Sequence, residues 1–182
     1  MADVTISGLS VSTPNKDTAA IPFTDGATTY RTTPAGIVAA APGCILQVVQ
    51  AVFGPGFQHS TTSSSYENTG IEASITPRST SSRIMISVST QVAVRNADGS
   101  VGHSYGAYNL TRNNSELIVW GNVQWIGWAP GSLQYVDSPN STSPLTYRIQ
   151  SKMISSSGRI YTGWGVSSVS SSSNMILSEI AG

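Results

Sequence analysis

The sequence predicts an all-β fold, an antiparallel β-sandwich or jelly roll preceded by an extended N-terminal arm, and three observations lead there. Ser, Thr, Gly, Pro and Asn make up 84 of the 182 residues, whereas Lys and Glu together supply six, so the best surface helix formers are nearly absent. Beyond Gly43 the apolar residues fall in runs of strand length, punctuated by Gly, Pro and Asn. Hydrophobic residues still reach 39%, enough to build a core, which argues against wholesale disorder. A chain of this length has room for a single core.

Residues 1–42 form the first unit. Short apolar touches alternate there with turn chemistry: Ile6-Ser7-Gly8-Leu9, Thr13-Pro14-Asn15, Ile21-Pro22-Phe23, Thr24-Asp25-Gly26 and Thr33-Pro34-Ala35-Gly36. No period of 2 or 3.6 is sustained, so the segment cannot bury much surface by itself and reads as an attachment arm with Ile6, Leu9, Ile21 and Phe23 as its anchors. Residues 43–182 form the sandwich. The first strand, 44–53, is rich in Val and Ile and stops at Gly54-Pro55-Gly56. The next, 70–76, alternates as Ile71, Ala73, Ile75 and stops at Pro77. Residues 83–95 place Ile84, Ile86 and Val88 on one face, with a change of phase before Val92 and Val94, and Asn96-Ala97-Asp98-Gly99 supplies the turn. Further strands are read at 104–110, 116–128, 145–154, 159–164 and 175–180. About eight strands in one core, with no helices to make parallel crossovers, give a sandwich or jelly roll.

Charge and cysteine narrow the class of partner. Nine basic and nine acidic side chains cancel and no Lys or Arg cluster occurs, so the chain carries no electrostatic footprint for nucleic acid or an anionic membrane. The single Cys44 has no second thiol for an internal disulfide or a zinc site, and is expected as a small core residue. The opening residues lack a basic region followed by an apolar run, so no secretory leader is expected. The most apolar stretch, 37–53, contains Pro42, Gly43, Gln47 and Gln50 and is not a transmembrane helix.

Chemistry-bearing patterns are few. Gly102-His103-Ser104-Tyr105-Gly106 matches the G-x-S-x-G of serine hydrolases, but that motif needs a strand-to-helix turn and a later His. The histidines are His59 and His103 only, and Ala107-Tyr108-Asn109-Leu110 reads as strand, so Ser104 is expected as an ordinary strand residue tolerant of substitution. Glu67, Glu72, Asp98, Glu116 and Asp137 are scattered and offer no defined acid pair. No Asp-rich calcium loop and no His or Cys pair at ligand spacing is present, so no catalytic residue, metal or cofactor is assigned. Trp125 and Trp128 lie an odd number of residues apart, so one of them should face solvent or a neighbour. With Tyr135 they are the candidate receptor or interface contacts.

The segments Ile6-Ser7-Gly8-Leu9, Ile21-Pro22-Phe23-Thr24-Asp25-Gly26 and Thr29-Tyr30-Arg31 resemble the attachment arms of tailed-phage virion proteins. Ile75-Thr76-Pro77, Ser82-Arg83-Ile84-Met85-Ile86, Asn109-Leu110-Thr111-Arg112, Tyr147-Arg148-Ile149-Gln150 and Ile176-Leu177-Ser178-Glu179-Ile180 are similar to phage head-decoration and fibre-like domains. The resemblance implies a homotrimeric jelly roll of the C1q and TNF type on the outer surface of the particle. It would be a non-enzymatic capsid decoration (cement) or head-fibre protein, held by its arm to the major capsid protein or a tail protein. The alternative it implies is a tail-fibre tip recognising host surface glycans. A chain without a coiled-coil or collagen-like shaft is not a complete long tail fibre.

Overall fold

A computed structural model describes residues 21–25, 28–32, 42–54, 56–96, 104–124, 126–155, 158–163 and 172–182. The chain divides into two compact units, Met1–Cys44 and Ile45–Gly182. In the first, β1 (Ile21–Asp25) and β2 (Thr28–Thr32) pair antiparallel, with Phe23 opposite Tyr30 and Asp25 opposite Thr28. This hairpin is absent from the reading of that segment as a plain arm. Pro22 sits inside β1 and reads as a strand breaker, yet a two-stranded ribbon consists of edges only, where a missing N–H is tolerated.

The second unit contains β3 (Ile45–Phe53), β4 (His59–Thr61), β5 (Glu67–Ile75), β6 (Arg83–Arg95) and β7 (Tyr105–Arg112). They are followed by β8 (Ser115–Gln124), β9 (Ile126–Asp137), β10 (Leu145–Met153), β11 (Arg159–Thr162) and β12 (Ser173–Ile180). One sheet runs β5-β10-β7-β8 and the other β3-β12-β6-β9, with β11 continuing the line of β12 along β6 and β4 pairing with β11. Every pairing is antiparallel and the described residues include no helix. Two packed antiparallel sheets with these strand orders, between which the chain crosses repeatedly, make a jelly roll.

Period-2 alternation builds the core. Ile71, Ala73 and Ile75 of β5, Ile84, Ile86 and Val88 of β6, Tyr147 and Ile149 of β10, and Met175 and Leu177 of β12 all turn between the sheets and are buried. The change of phase expected before Val92 does not occur. Thr90 takes the intervening inward position, buried with its hydroxyl 2.7 Å from that of Ser173, so Val92 and Val94 continue the face of Val88. The expected strand 116–128 is instead two strands, β8 and β9, and β9 runs on through Pro130-Gly131. Pro130 is accommodated because β9 pairs only with β6 among the described residues, leaving its other edge free of ladder bonds. Cys44 is half-buried just before β3, not a core residue.

Two register shifts shape β8. Tyr108 faces Gly121 and Asn109 faces Val119, while Leu110 faces Ile118 and Thr111 faces Glu116, so Trp120 and Leu117 are the added residues. Both side chains pack on the core, which is what a bulge does when it re-aims a side chain. At the end of the sandwich the Phe57 ring lies between Gly70 (φ +88°) and Gly163 (φ +73°), 5.1 Å from Phe53.

Two buried polar groups pin the sheets. Arg112 of β7 donates to Asp137 of β9 at 2.8 Å, and the Tyr147 hydroxyl of β10 donates to the same carboxylate at 2.7 Å. Burial first, and then the Asp137 carboxylate, push the Tyr147 phenol far above its usual range, so it remains a donor. Glu179 is fully buried; burial alone would raise its pKa. Hydrogen bonds from the Arg78 backbone N–H and from Gln47 Nε2, each at 2.6 Å, together with the Arg78 charge, outweigh burial and hold it below the usual carboxylate range.

Candidate functional site

The two outer faces of the sandwich differ in charge. On the β5-β10-β7-β8 sheet they carry a ladder of polar cross-strand contacts: Glu72 with Arg148 at 2.5 Å, Arg148 with Asn114 at 2.8 Å, Asn68 with Gln150 at 2.8 Å, and Asn109 with Glu116 at 2.8 Å. The Lys152 ammonium lies 4.3 Å from the centre of the Tyr66 ring. Such pairs suit a face that stays in water.

The outer face of β3-β12-β6-β9 is of another kind. Its register aligns three rows across four strands: Val48, Ser178, Met85 and Val136; Gln50, Ile176, Ser87 and Gln134; Val52, Asn174, Ser89 and Ser132. None of the twelve is charged, and the charges of the same parity on β6, Arg83 and Arg95, lie beyond the rows at the two ends of the strand. Val48, Val52 and Val136 are 58%, 61% and 49% exposed, and Ile45 at the start of β3 is 57% exposed. Strand β3 is also an edge of its sheet among the described residues, nine residues long and without a charge or a proline. Exposed apolar edges of this kind are normally blunted, so an uncovered one marks an association surface. The signal was present in the sequence, since 45–53 holds no charge, but joining it to Met85, Val136 and Ile176 requires the strand order.

The residues singled out in the sequence fall in several places. Ile6, Leu9 and Trp125 lie outside the described residues; Ile21 and Phe23 occupy β1 opposite Thr32 and Tyr30. Trp128 is half-buried, 5.6 Å edge-on from Tyr161 and 5.2 Å from the Arg95 guanidinium. Tyr135 is half-buried against the core. Ser104 is buried just before β7 and its hydroxyl donates to Asn96 Oδ1 at 2.8 Å, so it is not the freely substitutable strand residue expected. Of the acids, Glu72, Glu116 and Asp137 are held by Arg148, Asn109 and Arg112 respectively, and Asp98 lies outside the described residues. Among the described residues no three His, Cys, Asp or Glu converge as a metal site would need. Burial lowers the pKa of His59, opposed by Glu67.

No protein-family model matches the chain, and no curated protein does. Among solved structures it is similar to the Gt strain of infectious bursal disease virus, at 10% identity and a TM-score of 0.39 over 90% of this chain and 43% of that one. T=1 particles derived from the same virus give 10% identity and a TM-score of 0.40 over 89% and 41%. Dimeric latent PorU from Porphyromonas gingivalis gives 9% and 0.37 over 89% and 18%. The chain spans less than half the length of these structures. Likeness at this level decides neither family nor function.

Proposed function

We propose that the protein is a non-enzymatic structural component of the outer surface of a tailed-phage virion. It is a capsid-decoration or head-fibre protein that attaches through residues 1–42 and self-associates as a homotrimer through the outer face of β3-β12-β6-β9. The virion placement is supported by the resemblance carried by Ile6 to Leu9, Ile21 to Gly26 and the strand segments of the body. The observation that carries self-association is the contrast between the two outer faces: twelve aligned positions without a charge on one sheet, a charged and hydrogen-bonded ladder on the other. Copies that meet through an uncharged face bury Val48, Val52 and Val136 without stranding an ion, which is the usual character of a lasting interface core. A closed ring of three then leaves the Glu72–Arg148 face outward.

The test is placement and attachment on particles. Electron microscopy of virions should find the protein on the outside of the shell, and a chain lacking residues 1–42 should fail to decorate particles while keeping its β spectrum. Full occupancy by the truncated chain would refute attachment through the arm; density inside the shell would refute the placement.

A further inference from the structure

Between the sheets, on the side where β8 and β9 are edges among the described residues, four strands leave a pocket of about 100 Å³ that is partly open to solvent. Its walls are Val92 of β6, Tyr108 of β7, Trp120, Gly121 and Val123 of β8, and Gly131 of β9. Trp120 is one of the residues that the register shifts add to β8, and its indole reaches across to the other sheet, where Nε1 donates to the Ser132 carbonyl at 2.9 Å. Its ring stands 5.6 Å from Tyr108, whose hydroxyl donates to the Tyr161 carbonyl at 2.5 Å. Both polar handles of the wall are therefore engaged elsewhere, and the side chains offer carbon to the interior. Two of the six walls are glycine. A side chain at Gly131 would bring its Cβ to 3.0 Å from Val92 Cγ1 and 3.2 Å from Trp120, while Gly121, at φ +140°, disfavours any side chain at all. The chain thus leaves a recess at the edge of the sandwich that none of the described side chains fills.

We propose that this pocket is a binding site for one small, uncharged, apolar molecule of the size of benzene. The wall is predominantly carbon, so displacing water from it favours an apolar guest over a polar one. A sugar would arrive with hydroxyls and find no free donor or acceptor on Trp120 or Tyr108, so the glycan chemistry that exposed aromatics suggest does not suit this site. The volume also excludes drug-sized ligands, whose pockets start at about 300 Å³. The proposal concerns the sandwich alone and stands or falls independently of the virion reading.

The full chain, labelled at its valine methyls and tryptophan indoles, is titrated with benzene and followed by NMR. Saturable shifts are expected at the Val92 and Val123 methyls and at the Trp120 Nε1–H, with a millimolar Kd, and glucose should move none of them. Val123→Phe, which fills the pocket from its own wall, should weaken benzene binding by about tenfold or more. If that variant does not fold, Val123→Leu adds a single methylene at the same point and should weaken binding in the same direction. Absence of saturable shifts in the wild type, equal response to glucose, or unchanged affinity in a folded Val123 variant each overturns the proposal.

Discussion

Replacing Asp137 by Ala should be among the most damaging single changes in the sandwich, and the structure gives the size of the effect. The side chain is 8% exposed and accepts from Arg112 Nη1 at 3.0 and 2.8 Å and from the buried Tyr147 hydroxyl at 2.7 Å. Removing one partner of a fully buried ion pair costs about 3–5 kcal/mol, because the other charge is left without compensation. The Arg112 side chain is 28% exposed, so water recovers part of that. The orphaned Tyr147 hydroxyl, wholly inside the core, adds about 1 kcal/mol. The expected loss is about 3 kcal/mol, read as a lower urea midpoint at unchanged m and fixed protein concentration. The triple variant Arg112→Met, Asp137→Leu, Tyr147→Phe, which removes every member together, should regain most of it. A loss below about 1 kcal/mol for Asp137→Ala would show that the network is hydrated and does not pin β9 to β7 and β10.

Gly163→Ala should cost about 2 kcal/mol in the same assay, since its Cβ would stand 2.4 Å from the Phe57 ring and 3.0 Å from the Phe57 carbonyl at a φ of +73°; a loss within error would mean that the ring is not held there. Glu179 has its pKa lowered on folding from the ordinary 4.5, so its ionised form stabilises the fold above that pH and the contribution disappears as pH falls through the folded-state value. Glu179→Gln should therefore be less stable than wild type at neutral pH, and the gap should close below pH 4.5; a pH-independent gap refutes the assignment. Ser104→Ala should cost about 1 kcal/mol through loss of its buried bond to Asn96, and any esterase activity of the wild type that vanished in this variant would revive the hydrolase reading.

Where the chemistry of a segment is local, it was legible in the sequence. Strand β6 matches its reading at both ends, because six inward positions from Ile84 to Val94 keep one parity and Asn96 follows. Val88, Val92 and Val94 share that parity, so no change of phase occurs, and Thr90 between them is satisfied inside by Ser173. The single run expected at 116–128 spans the boundary of β8 and β9 and stops short of Pro130-Gly131, and only the pairing with β6 reveals that the edge makes the proline harmless. The hairpin of β1 and β2 was missed for the same reason at Pro22. The uncharged face was half legible. Val48, Gln50 and Val52 show the alternation, but that Met85, Val136 and Ile176 belong to the same surface follows from strand order, which composition does not encode. That Trp120 packs on the core follows from the register shift in β8, since a bulge reverses the side to which a residue points.

Sedimentation equilibrium of the full chain at micromolar concentration, beside the double variant Val48→Lys/Val52→Lys, tests the central claim most directly. Two ammonium groups on the edge strand of the uncharged face would be buried without partners on association but hydrated in the separate subunit, so they should act on assembly and not on the fold. The account predicts a wild-type mass of about three times 19.0 kDa and a folded monomer for the variant, with the same far-UV spectrum. A monomeric wild type, or a variant that remains trimeric, would contradict it.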